Sequence, residues 1–153
     1  MRIAVFPGTF DPITLGHVDV IQRTLHLFDR IVIGIGVNAN KQTMFSMAQR
    51  QQWIEEIFRN ESHIMVEAYE GLTVRFCEKH GARYILRGIR TVGDFEYEKA
   101  IADMNRAVNP EVETLFLACS PEYSSYSSSI VRDLIRNGAD ISRFVPAPVY
   151  GGV

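Results

Sequence analysis

Gly8-Thr9-Phe10-Asp11-Pro12-Ile13-Thr14-Leu15-Gly16-His17 joins two segments of different hydrophobic period. Before it, Ile3-Ala4-Val5-Phe6 is a continuous apolar run, the pattern of a short buried strand. After it, Val18, Ile21, Leu25 and Phe28 recur at helical spacing. The stretch therefore predicts a strand-to-helix loop, its backbone set by Pro7, Gly8, Pro12 and Gly16. In an open parallel sheet such a loop lies at the carboxyl ends of the strands, where ligands bind. The free N–H groups and the dipole of the first helical turn favour an anion there, such as phosphate. Thr14 and His17 would add a hydroxyl and an imidazole. The same residues would also make a tight turn with a polar cap, and a lone Thr-x-Gly-His does not separate the two readings.

Outward from this loop the pattern repeats. Arg2–Phe6, Arg30–Val37, Ile64–Ala68, Tyr84–Leu86 and Thr114–Ala118 read as strands. Helices are expected over His17–Phe28, from the N-cap Ser46 to about Arg59, over Leu72–His80 before Gly81, and over Phe95–Arg106. A last helix should follow the loop Ser120–Ser129 and stop at Asn137-Gly138. Tyr97, Ile101, Met104 and Val108 share one helical face. Strands alternating with helices predict an α/β fold with a parallel sheet and right-handed crossovers, in a single domain spanning 1–153. The tail Phe144–Val153, with two Pro and two Gly, should not form a long helix.

The 153 residues carry a net charge of −2, with 46% hydrophobic and 22% charged residues. No general basic field would hold nucleic acid or an anionic membrane surface, so a phosphate site has to be built locally. No apolar run is long enough to span a bilayer, and the N-terminus lacks a signal-peptide pattern; a cytoplasmic protein is expected. Cys77 and Cys119 are far apart and read as buried apolar residues rather than a disulfide.

The polar clusters fall just after strands, on one edge of the sheet. Thr9, Asp11, Thr14 and His17 follow the first strand, Lys41 the second, Thr73 the third, Arg87 and Arg90 the fourth, and the Ser run the fifth. Arg87-Gly88-Ile89-Arg90 sets two guanidiniums around a glycine, a pattern suited to a polyanion held close to the backbone. Asp94, Glu96 and Glu98 follow near a helix start. A surface ion-pair set would use the same residues. Tyr126-Ser127-Ser128-Ser129-Ile130-Val131-Arg132 opens the last helix, where hydroxyls and free N–H groups can hold phosphate or simply cap. Gly34-Ile35-Gly36-Val37-Asn38-Ala39 fits the dinucleotide pattern Gly-x-Gly-x-x-Ala, but it lies within a predicted strand and opens no helix. There is no P-loop motif, and His26, His63 and His80 lack metal-ligand spacing.

The loop with Thr14-Leu15-Gly16-His17 resembles the (His/Thr)-x-Gly-His signature of the nucleotidylyltransferase superfamily. Together with Gly8-Thr9-Phe10-Asp11-Pro12, with Arg87-Gly88-Ile89-Arg90 through Asp94-Phe95-Glu96-Tyr97-Glu98, and with the Ser127-Ser128-Ser129 motif, it is similar to the bacterial phosphopantetheine adenylyltransferases. The resemblance runs from residue 2 to about residue 146. It implies a Rossmann-like doubly wound five-stranded parallel sheet. It also implies transfer of the adenylyl group of ATP to 4′-phosphopantetheine, giving dephospho-coenzyme A and pyrophosphate, with Mg²⁺ accompanying the nucleotide and ligands for it undetermined.

Carried over by position, Thr9, Lys41, Thr73 and Arg87 match phosphopantetheine contacts. Thr9, Phe10, His17, Gly88, Ile89, Arg90, Glu98, Tyr123, Ser124, Ser125, Tyr126, Ser127, Ser128 and Ser129 match ATP contacts. His17 matches the transition-state stabiliser, and Lys41 and Arg90 are further catalytic candidates. The family forms homohexamers. Tyr126 stands where the family usually has an aliphatic residue, and the Pro/Gly tail departs from the family's short C-terminal helix. The alternatives are a sibling enzyme using CTP or another phosphorylated acceptor, and a non-catalytic ATP sensor. The Arg-Gly-Ile-Arg string argues against the first, and the joint presence of His17 and Lys41 against the second.

Overall fold

The computed structural model describes residues 1–153. In chain order the elements are β1 (Ile3–Gly8), α1 (Leu15–Thr24), β2 (Arg30–Gly36), α2 (Met47–Ile57), β3 (Ile64–Tyr69), α3 (Thr73–His80), β4 (Tyr84–Ile89), α4 (Val92–Val108), β5 (Glu113–Ala118), α5 (Ser128–Arg136) and α6 (Ala147–Gly152). The five strands form one parallel sheet in the order β3-β2-β1-β4-β5. The chain winds outward from β1 to β3, then crosses back to lay β4 beside β1. The order reverses between β1 and β4, and a crevice opens there at the carboxyl ends of the strands. The loop that follows β1 stands in that crevice.

Alternate residues of the apolar runs fill two cores, one on each face of the sheet. Ala4, Phe6, Ile31 and Ile33 pack with Ile21, Ile54, Val131 and Val149 from α1, α2, α5 and α6. Val5, Val32 and Ile85 pack with Val74, Phe76 and Cys77 of α3. Burial on both faces is why the strands read as continuous apolar runs and not as alternation. Gly34 lies within β2, where a Cβ would come 2.8 Å from the Phe76 ring and 2.9 Å from that of Tyr69. Close ring packing accounts for Gly34, whereas a Cβ on Gly36, the last residue of β2, would meet nothing nearer than 3.8 Å.

Several boundaries differ from the sequence reading. The first helix begins at Leu15, so His17 sits inside its first turn; it ends at Thr24 and gives way to a 3-10 turn over Leu25–Leu27. The strand β4 runs on through Arg87, Gly88 and Ile89, which were expected to be loop, because they continue the ladder against Phe116, Leu117 and Ala118. The helix α4 starts at Val92, capped by Thr91, whose side chain accepts from the Asp94 N–H.

The face Tyr97-Ile101-Met104-Val108 is not a core face: Tyr97 is 69% and Met104 66% exposed. The tail forms no long helix, as expected, yet it does make the short helix α6. Pro148 lies in its first turn, where a missing N–H costs nothing. Val149 anchors it in the core, and Gly152 lies against Trp53, where a Cβ would come 3.0 Å from the indole nitrogen.

Candidate active site

Thr14 caps α1, and the cap is reciprocal. Its hydroxyl accepts from the His17 N–H at 3.4 Å, and its own N–H donates to His17 Nδ1 at 3.0 Å. An Nδ1 that accepts carries no proton, so the neutral ring is protonated at Nε2. Burial, then the positive fields of Arg87 and Arg90, lower the imidazole pKa to about 3. Nδ1 thus serves the cap, and His17 also lines the larger of the cavities that open beside it.

Phe10 sets the ring's place. Its backbone is left-handed, with φ 51°, and its side chain turns under the loop to meet His17 edge-on at 5.1 Å. The Phe10 ring crosses Gly8, where any Cβ would come within 2.8 Å. Since Phe10 is only 3% exposed, what it offers a ligand is backbone.

Arg87 bridges β4, α4 and β1. Its Nε and Nη2 donate to the two Glu98 carboxylate oxygens at 2.9 and 2.6 Å, and Nη1 donates to the Pro7 carbonyl. Arg90 follows the strand. Its N–H donates to Asp94 at 3.0 Å, and its guanidinium stays about one-third exposed beside that carboxylate. From the loop after β2, Lys41 donates to Thr9 Oγ1 at 3.4 Å. Thr73, the first residue of α3, shares a 2.9 Å hydrogen bond with the Tyr69 hydroxyl. At α5, Ser127 is the N-cap, Ser128 donates to the Pro12 carbonyl at 2.8 Å, and Arg132 donates to Ser129 and to the Asp11 carbonyl.

Two cavities open among these groups. One, of about 510 Å³, is lined by the loop after β1, His17, Gly88, Arg90, Glu98 and Tyr126–Ser129. The other, of about 430 Å³, is lined by Tyr69, Thr73, Tyr97, Ile101 and Asn105. Both share Thr9, Lys41, Arg87 and Glu98 as walls. The site thus has two chambers that meet at cationic groups.

A cytidylyltransferase-like family model matches residues 5–134. The chain is 54% identical over 149 residues to the phosphopantetheine adenylyltransferase of Flavobacterium psychrophilum, covering 97% of this chain and 98% of the relative. It is 50% identical over 146 residues to that of Bacteroides fragilis, covering 95% and 97%. The chain belongs to the phosphopantetheine adenylyltransferase family. A bifunctional NMN adenylyltransferase/ADP ribose pyrophosphatase from Francisella tularensis shares the fold. Its TM-score is 0.72 at 19% identity, over 94% of this chain and 44% of that one.

Of the candidate residues matched to this family, Thr9, Phe10, His17, Lys41, Gly88, Arg90, Glu98 and Tyr126–Ser129 line the larger chamber, and Thr73 the other. Ile89 and Tyr123–Ser125 do not line either of them, although the Tyr123 backbone lies 3.6 Å from where a Gly16 Cβ would be. Tyr126 is only 8% exposed, packed edge-on against Phe144 and Tyr123. Sequence reasoning missed Asn105 and Cys119 as wall residues, and missed Arg50, a guanidinium only 5% exposed behind Thr9. Tyr97 and Ile101 carried the right helical period, which placed them on one face of α4 but did not show that they wall the smaller chamber.

Burial pushes the Cys77 thiol up to about 12 and also raises that of Cys119, so neither is a ready nucleophile. Cys77→Ala and Cys119→Ala, alone and together, are expected to leave kcat nearly unchanged. A covalent adenylyl-enzyme trapped by denaturation, and lost with either change, would contradict this.

Proposed function

We propose that the chain transfers the adenylyl group of ATP to 4′-phosphopantetheine, releasing pyrophosphate and dephospho-coenzyme A, by direct in-line attack. The observation that carries this reading is the pair of chambers joined at Thr9, Lys41 and Arg87, with His17 on the nucleotide side. An acceptor phosphate oxygen forms the new bond to the α-phosphorus, and the bond from that phosphorus to the β-phosphate bridging oxygen breaks. The reaction brings two anions together and needs no protein nucleophile. Lys41 and Arg87 hold the acceptor phosphate, Arg90 the nucleotide phosphates, and the His17 Nε2–H the α-phosphate oxygen. The Ser127–Ser129 hydroxyls and the N-terminus of α5 take the remaining phosphate oxygens.

Mg²⁺ would accompany the nucleotide and supply charge neutralisation at its phosphates. No three His, Cys, Asp or Glu side chains cluster to cage an ion. The chamber carboxylates Asp11, Asp94 and Glu98 are already bonded to N–H or guanidinium donors. The residues therefore suit an ion held by substrate phosphates, not a resident one. The exposed apolar face of α4 supports assembly into the family's homohexamer, which light scattering would test. No helix is long and apolar enough to cross a membrane.

The test is pyrophosphate release with ATP or CTP, Mg²⁺ and a panel of phosphorylated acceptors. ATP with phosphopantetheine should be the productive pair. Preference for CTP or for another acceptor would overturn the reading, as would ATP binding without release. In the same assay Lys41→Ala should lose about 1.5–3 kcal/mol, read as kcat/KM for phosphopantetheine. Lys41→Arg should not restore it fully, because a planar fork does not replace a point charge in a fitted site. Wild-type kinetics in Lys41→Ala would remove Lys41 from the acceptor site.

A further inference from the structure

We propose that Asp11 is a positioning residue for this reaction: its buried carboxylate, with Arg50, anchors the loop that carries Lys41 and so holds the Lys41 ammonium against Thr9. This rests on the reading of Lys41 as the acceptor-phosphate contact.

The loop from Val37 to Ser46 leaves the sheet edge and is exposed from Val37 through Gln42. At its start the Val37 N–H donates to the Tyr69 carbonyl at 2.8 Å. Around Lys41 its bonds are local, from the Asn40 and Lys41 N–H groups to Asn38. A four-bond side chain on such a loop would sample many positions. The far end is different. Asp11 is 2% exposed, and its two oxygens accept from consecutive backbone donors, Met44 N–H at 2.8 Å and Phe45 N–H at 2.9 Å.

Arg50 ties the same two segments a second time. Its Nε donates to the Phe45 carbonyl at 3.0 Å and its Nη1 to the Thr9 carbonyl at 2.7 Å. Arg132 completes the surroundings, with Nη1 3.9 Å from the carboxylate and donating to the Asp11 carbonyl at 2.8 Å. Buried charges of both signs therefore bind Thr9–Asp11 to Met44–Phe45, three residues beyond Lys41. The Lys41 ammonium donates to Thr9 Oγ1, within the clamped segment. With both oxygens committed to N–H donors, Asp11 is spoken for as a clamp and is not poised as a base.

The experiment is a double-mutant cycle of Asp11→Asn and Lys41→Ala, read as kcat/KM for phosphopantetheine and as ATP affinity by calorimetry. An asparagine keeps the shape but turns its NH₂ toward one of the two N–H donors. Alone it should lower kcat/KM by about tenfold to a hundredfold. ATP affinity should stay within about threefold, and in the Lys41→Ala background the same change should cost less than about threefold. Additive losses, or an equal loss of ATP affinity, would overturn the proposal. If Lys41→Ala itself leaves turnover intact, the reading of Lys41 fails, which the cycle displays separately. Should Asp11→Asn not fold, Arg50→Lys carries the same test and the same expectation. Amide exchange on the unaltered protein gives an independent check. Met44 and Phe45 should be protected while Ala39 and Gln42 exchange freely, and fast exchange at Met44 and Phe45 would also overturn it.

Discussion

Replacing His17 by alanine is expected to lower kcat by on the order of 10²–10³, the effect of losing one preorganised donor. ATP affinity should change by less than about tenfold, because a bond that tightens as charge shifts at the α-phosphorus acts on the barrier more than on binding. The structure adds a complication. The ring also caps α1 through Nδ1, so alanine removes a helix cap worth about 1 kcal/mol. His17→Asn separates the two roles. Its amide oxygen falls at the place of Nδ1 and can take the Thr14 N–H, as the shorter Asp94 side chain takes the Thr91 N–H in α4, restoring the melting temperature, while it is too short to return an N–H to the place of Nε2. Recovery of turnover in the asparagine variant would assign His17 to the cap alone. A loss of ATP affinity in proportion to rate would make it a ground-state contact.

The same geometry predicts the charge state. With its pKa held to about 3, the ring should remain neutral and Nε2-protonated from pH 8 to pH 5 by nitrogen NMR, although free histidine titrates near 6.5. Below pH 6.5 the unfolded chain then binds a proton that the folded chain refuses. Stability should fall as the pH drops from 6.5 toward 3, and less so in His17→Asn.

What could be read in the sequence was local. Apolar runs at Ile3–Phe6 and Arg30–Val37 marked strands, because both faces of this sheet are covered. The Gly8–His17 stretch marked the strand-to-helix loop that walls the larger chamber, because turn residues there sit between two periodicities. What was missed depends on pairings between distant residues. Nothing near Arg50 says that its guanidinium reaches Thr9, and nothing near Asp11 says that it receives the Met44 and Phe45 amides. The apolar stripe on α4 has the right period for a core face, and periodicity cannot say that the stripe lies outside the sheet's own cover. The tail forms no long helix, as its composition says, but its short helix was missed because two Pro and two Gly were weighed without position. A proline in the first turn of α6 breaks nothing there, and burial of Val149 stabilises that short helix.

Arg87 and Glu98 were read as contacts to different substrates, yet they hold each other. Arg87→Ala would leave the Glu98 carboxylate, whose side chain is 11% exposed, without its two guanidinium bonds. Removing one partner of a buried pair costs about 3–5 kcal/mol, and the low end applies because the Arg87 side chain is 29% exposed. Arg87→Ala should therefore both melt early and fail to turn over phosphopantetheine. The double variant Arg87→Met with Glu98→Gln removes both charges at similar volume, and it should regain most of the lost stability. Turnover should stay low, because of the two cations common to both chambers only Lys41 remains and no guanidinium is left there for the acceptor phosphate. Thermal melts and pyrophosphate release on the same samples decide the matter. If the double variant recovers turnover along with stability, Arg87 is a strut between β4, α4 and β1, and the acceptor phosphate is held by Lys41 without it.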